Sequence, residues 1–91
     1  MPVQVHVTSV IQKVVGDQRQ IVVEGATIAE LIANIEGRYP GFREQIANEA
    51  GELHRFVNVY LNDEDIRYLS GTATELHDGD AVSILPALAG G

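Results

Sequence analysis

The residues of this 91-residue chain best placed for chemistry are its last ones, "ILPALAGG", where Gly91 carries a carboxylate next to Gly90. Two glycines let the backbone lie flat in a narrow channel and leave the carboxyl carbon without a neighbouring side chain to hinder attack. Pro86 has no backbone N–H, so it weakens continuation of a sheet ladder and marks where the chain should leave the folded body. Six residues, Pro86 to Gly91, extend roughly 20 Å at about 3.3 Å each. A tail of that length reaches into another protein's active site.

The other chemically able residues suggest less. His6, His54 and His77 fall on a strand, before a strand and in a turn, without metal-type spacing, and read as ordinary partly exposed histidines. Asp63-Glu64-Asp65 lacks the loop pattern of a calcium hand and reads as a polar turn facing a partner. Arg55 and Arg67 flank it and are placed for surface pairing with its acids, which contributes little to stability. Cysteine is absent, which excludes disulfides, thiolate metal sites and a cysteine nucleophile and suits a cytoplasmic protein. The opening "MPVQVHVTSV" has no basic region ahead of a long apolar one, so it reads as a first strand and not as a signal peptide.

Length and charge narrow the classes further. A chain of 91 residues is one domain with one modest core and little room for a deep active site, so its chemistry is expected to be shared with partners. The formal charge is −7, and from Asp63 onward six acids stand against one base, Arg67. That end repels nucleic acid and anionic membrane and steers a basic protein partner. No apolar run approaches the length of a membrane span.

The elements that must position the tail follow from periodicity. Val3, Val5 and Val7 alternate with polar residues, and Gln20-Ile21-Val22-Val23 follows the turn-like Gly16-Asp17, which suggests an opening hairpin. Thr27-Ile28-Ala29-Glu30 forms a capping box. Ile28, Leu31, Ile32 and Ile35 then make one apolar helical stripe that Gly37 and Pro40 should end. A short helical piece is expected over Phe42 to Asn48, a loop at "NEAGE", and a strand from Phe56 to Leu61 with Val57, Val59 and Leu61 on one face. Asn62 to Asp65 should turn into a short return strand, Ile66-Arg67-Tyr68, and His77-Asp78-Gly79-Asp80 should feed the last strand, Ala81 to Leu85. The order β-β-α-β-β-β with one main helix implies an α+β fold, a mixed sheet packed on that helix. It is the order of a β-grasp, or ubiquitin-like, domain over residues 1–85, with 86–91 as a flexible Gly-Gly tail.

That strand order, the ending "LHDGDAVSILPALAGG" and the small size resemble the ThiS/MoaD family of ubiquitin-like sulfur-carrier proteins over the whole chain. Within it, "GELHRFVNVYLNDEDIRYLSG" with "ILPALAGG" looks most like the CysO branch, which serves cysteine biosynthesis. A free carboxylate is a poor acyl donor, because attack on it must expel oxide. The resemblance implies that a ubiquitin-activating-type adenylyltransferase/sulfurtransferase uses ATP to adenylate Gly91 and that a sulfur donor converts the acyl-AMP to a thiocarboxylate. Its ionised sulfur is polarizable and nucleophilic, by the logic that makes a thiolate outperform a thiol. The CysO-like route implies a pyridoxal-phosphate cysteine synthase as acceptor, an S-to-N acyl shift, and a zinc metalloprotease that frees cysteine. The chain itself is then a co-substrate with no intrinsic cofactor or metal, not an enzyme. Relatives deliver sulfur to thiamine, molybdopterin, thiosugars or other natural products, so the acceptor stays open.

The same resemblance implies tail recognition through Pro86, Ala87, Leu88, Ala89 and Gly90. Leu85, with Phe56 or Tyr60, is expected to dock partners on the exposed sheet face, although strand parity does not decide which of them face out. The absence of internal thiols suits a carrier of reactive sulfur, and a single lysine, Lys13, disfavours chain building on itself. Two other readings remain: a ubiquitin-like modifier conjugated through Gly91 to lysines of other proteins, and a non-catalytic subunit whose tail sits permanently in a synthase.

Overall fold

The structure, a computed structural model, describes residues 2–8, 10–50, 52–54 and 57–86. Strand β1 (Pro2–Val7) is followed by helix α1 (Val10–Val14), strand β2 (Gln20–Glu24), and helices α2 (Ile28–Arg38) and α3 (Phe42–Ile46). Then come β3 (Val57–Leu61), β4 (Glu64–Asp65), two 3-10 turns (Ile66–Tyr68 and Gly71–Ala73) and β5 (Ala81–Pro86). The strands form one sheet in the order β2-β1-β5-β3-β4. β5 runs parallel to β1 and antiparallel to β3. A mixed sheet with its main helix across one face is the expected β-grasp architecture.

One face of the sheet is packed and the other is open. Val3, Val5 and Val7 of β1, Ile21 and Val23 of β2, Val57 and Val59 of β3, and Val82 and Ile84 of β5 are all buried. Each such side chain contributes roughly 1.5–3 kcal/mol against exposure. They meet the α2 stripe of Ile28, Leu31, Ile32 and Ile35, with Phe42 and Ile46 of α3 closing the core. Thr27 caps α2, its hydroxyl oxygen accepting from Glu30 N–H at 3.2 Å. The Glu30 carboxylate reaches back one residue further than a capping box requires, to Ala26 N–H at 3.0 Å.

The helical layer is joined by backbone-directed contacts. Gly25 lies against α2 so closely that a Cβ there would stand 2.8 Å from Leu31 Cα. At the α2–α3 junction the Glu36 carboxylate accepts from Arg43 N–H at 2.8 Å and Gly41 N–H at 3.0 Å. These two bonds, with the nearby Arg43 charge, hold its pKa below the ordinary glutamate value.

Several expectations require correction. The β1–β2 connection is not a simple turn: it contains α1, whose Ile11, together with Val15 just beyond the helix, is buried one helical turn apart. Gly37 does not stop α2, which runs on to Arg38 and caps at Tyr39, whose N–H bonds Ile35 O. The turn after β3 is only Asn62-Asp63, both at left-handed φ of 49° and 72°. The return strand is accordingly Glu64–Asp65, paired with Leu61 and Tyr60. Ile66-Arg67-Tyr68 is a 3-10 turn and not a strand. Its cause is local and tertiary together: Asp65 Oδ1 accepts from Arg67 N–H at 2.8 Å, which curls the chain, while Ile66 plugs into the core.

Candidate functional site

The expected site is the end of β5 and the open face beside it. β5 lies in the middle of the sheet, between β1 and β3, so both of its edges are paired. Its last residue, Pro86, stands opposite Val57. Ala87, Leu88, Ala89, Gly90 and Gly91 lie outside the described residues, as do Arg55 and Phe56.

Strand parity is settled by the register. Because Val82 and Ile84 point into the core, Ala81, Ser83 and Leu85 belong to the open face. On β3 the buried Val57 and Val59 leave Asn58 and Tyr60 on that same face, opposite Leu85 and Ser83. Tyr60 and Leu85 therefore share the open face, each half-buried. A row crosses the sheet there: Gln20, His6, Ser83, Tyr60 and Asp65 are successive cross-strand partners. On β1, β5 and β3 this face presents Gln4, His6, Ala81, Ser83, Leu85, Asn58 and Tyr60, with no carboxylate, ammonium or guanidinium among them. This part of the face is neutral and partly apolar, through Ala81, Leu85 and Tyr60.

The two ends of β5 differ. At its start, the Asn62-Asp63 turn is clasped to the His77–Asp80 turn: Asn62 Nδ2 donates to Asp80 Oδ1 at 3.1 Å, and Asn62 Oδ1 accepts from Ala81 N–H at 3.0 Å. Asp80 Oδ2 accepts from His77 N–H at 2.7 Å. Asp63, Glu64 and Asp78 gather around these turns, so the acidic surface lies at the opposite end of β5 from Pro86. At the tail end Arg67 reaches the first residues of β3. Its Nη2 donates to Val57 O and its Nη1 to Asn58 Oδ1, both at 2.6 Å, and Asp65 Oδ2 stands 3.4 Å from Nη1. The acid pairing expected of Arg67 is present through Asp65, and the bonds to Val57 and Asn58 are additional to it.

Among the described residues no three His, Cys, Asp or Glu side chains are grouped to hold a metal ion. His6 sits on the open face, His54 has Nε2 3.2 Å from Glu44 O, and His77 lies in the acidic turn. Two concavities lie on the helical side. One of about 240 Å³ is lined by Ala29, Ala33, Ala47 and Ala50, and one of about 510 Å³ by Glu36, Arg43 and Glu44. No helix among the described residues is long and apolar enough to cross a membrane.

Comparison with known proteins agrees with this geometry. The family model described as the ThiS family matches residues 5–91. The chain is similar to the sulfur carrier protein CysO of Mycobacterium tuberculosis (strain H37Rv), with 42% identity over 93 residues covering all of both chains. It is also similar to small archaeal modifier protein 3 of Haloferax volcanii, with 36% identity over 94 residues and the same complete coverage. Its fold matches a chain of the Amycolatopsis orientalis BexX/CysO complex with a TM-score of 0.90 and 40% identity, covering 98% of this chain and 99% of that one. By the extent of the family match and by identity along the whole chain, this protein belongs to the ThiS family.

Proposed function

We propose that this protein is a sulfur carrier whose Gly91 carboxylate is the working group. The observation that carries the reading is the match to CysO along both complete chains, together with a family match that extends to Gly91. In the first step a carboxylate oxygen of Gly91 attacks the α-phosphorus of ATP and pyrophosphate leaves. In the second, hydrosulfide attacks the acyl carbon, AMP leaves and the sulfur loses its proton, so that a thiocarboxylate remains. The enzyme that performs both steps is of the ubiquitin-activating type. The acceptor most consistent with the CysO relatives is a pyridoxal-phosphate cysteine synthase, followed by a zinc metalloprotease that releases cysteine and restores Gly91.

The residues divide the work by position. Leu88 and the small residues Ala87, Ala89 and Gly90 thread the partner's channel, and Pro86 starts the departure from the sheet. Tyr60 and Leu85 provide apolar contact on the open face, while the acidic turns at the far end of β5 orient the carrier in the field of a basic partner. This chain supplies the acyl group and the docking surface, and the partners supply catalysis, ATP, zinc and pyridoxal phosphate.

Removing Gly90 and Gly91 tests the reading. The truncated protein should unfold at the same temperature as the intact one and should not support ATP–pyrophosphate exchange with the activating enzyme. Exchange at the intact rate would refute the assignment. The 36% identity to an archaeal modifier protein favours one second reading, conjugation of Gly91 to lysines of other proteins. Glycine–lysine isopeptide remnants on proteins captured from native cells would support it over the carrier.

A further inference from the structure

The last ladder pair among the described residues, Val57 opposite Pro86, is held from the outside. Proline offers no N–H. Val57 directs its own N–H to His54 O at 3.0 Å and its carbonyl to Arg67 Nη2 at 2.6 Å. The neighbouring Asn58, which faces Leu85, gives its side-chain oxygen to Arg67 Nη1 at 2.6 Å. β4 pairs only with Tyr60 and Leu61, so the guanidinium stands where a longer β4 would have covered the first residues of β3. Asp65 aims it, with one carboxylate oxygen 3.4 Å from Nη1 and the other accepting from Arg67 N–H at 2.8 Å. The guanidinium reaches a carbonyl and an amide oxygen from two nitrogens held in one rigid plane, where an ammonium offers a single nitrogen on a flexible stem.

We infer that Arg67 is a positioning residue for the tail. It fixes Val57 and Asn58, and through them Leu85 and Pro86, so that the chain leaves the sheet in one direction. The inference rests on the carrier reading of Gly91 and adds a residue to it. Without the clamp, the start of β3 and the end of β5 fray together, and the root of the tail must be ordered at each encounter with the activating enzyme. Ordering one residue's backbone amounts to roughly a tenfold change in an equilibrium constant. The loss falls on KM for the carrier, because the acyl chemistry at Gly91 is untouched.

The test combines amide hydrogen exchange with steady-state adenylation by the native activating enzyme, on Arg67→Ala and Arg67→Lys. Expected for Arg67→Ala is a loss of protection confined to Val57, Asn58 and Leu85, unchanged exchange at Val5 and Leu31, and a KM raised about tenfold with kcat unchanged. Arg67→Lys should fall between it and the native chain. Arg67 keeps 44% of its side-chain surface exposed, so direct contact with the partner is the competing account. A raised KM with unchanged exchange would establish that account and overturn the clamp, and an unchanged KM would overturn both. Should Arg67→Ala unfold, Asn58→Ala removes one acceptor and must still loosen the same amides. If the native chain itself is not adenylated, the carrier reading fails, and the exchange pattern still decides whether Arg67 holds the root.

Discussion

Gly25→Ala is a sharp test of how α2 is seated on the sheet. An added Cβ would lie 2.8 Å from both Leu31 Cα and Leu31 N and 3.0 Å from Leu31 Cβ. Non-bonded carbons settle at about 3.5–4.0 Å, so roughly 0.7 Å or more must open between the strand end and the helix. The helix has little freedom to retreat. Leu31 is fully buried, Ile28 N–H bonds Thr74 O at 3.1 Å, and Leu31 N–H bonds Thr27 O at 2.9 Å. Overpacking of this kind costs about 1–3 kcal/mol. Against it, replacing glycine where φ is ordinary stabilises by about 0.4–1 kcal/mol through the unfolded chain. Taken at mid-range the net loss is about 1.3 kcal/mol, which for a domain of this size lowers Tm by roughly 5–10 °C. Gly37→Ala is the control, because nothing stands within 4 Å of its added Cβ inside α2. There the same change should raise Tm by roughly 2–8 °C, from about 0.5–1 kcal/mol of helix preference. Thermal unfolding followed by circular dichroism reads both. A Gly25→Ala protein as stable as the native one would show that α2 is not held against this strand end as described.

Two further perturbations address the junction and the open face. The lowered pKa of Glu36 means that its contribution to stability is complete above the unfolded-state value of about 4.3 and is lost as pH falls through the lower folded value. The Tm difference between native protein and Glu36→Gln should therefore shrink from pH 6 toward pH 3; a difference constant over that range would refute the carboxylate's role in holding Gly41 and Arg43. Leu85→Asp places a charge on the open face without touching the packed one, so Tm should fall by about 4–8 °C for a strand-propensity cost of about 1 kcal/mol while the KM for adenylation rises at least several-fold. Unchanged kinetics would remove this face from the docking surface.

The parts of the fold legible in the sequence are those whose causes are local. The α2 stripe and its Thr27 cap sit within a few residues of each other, and the alternating valines of β1 declare their own inward face. α1 was hidden because Val10 and Val14 are β-branched, residues that favour strands, and its helical sign is only the pair Ile11 and Val15. The 3-10 turn at Ile66–Tyr68 depends on an Asp65 side-chain bond and on burial of Ile66 by distant elements, which no periodicity carries. At the site, the pattern of apolar residues could not say whether Tyr60 and Leu85 share a face; the register of β5 between β1 and β3 decides it. Arg67 bonds a carbonyl ten residues away, and its spacing from Asp63 and Asp65 suggested only an ion pair. The reactive end is read from residue type and resemblance, since composition alone does not distinguish an acyl carrier from any chain ending in glycines.

Thiol alkylation with intact-mass analysis tests the central claim most directly, because the chain contains no cysteine. The protein isolated from its native cells, or reconstituted with the activating enzyme, ATP and sulfide, is treated with a thiol-selective reagent and fragmented to locate the adduct. The account predicts one adduct, on Gly91, that is lost when Gly90 and Gly91 are removed. No adduct after full reconstitution would contradict it.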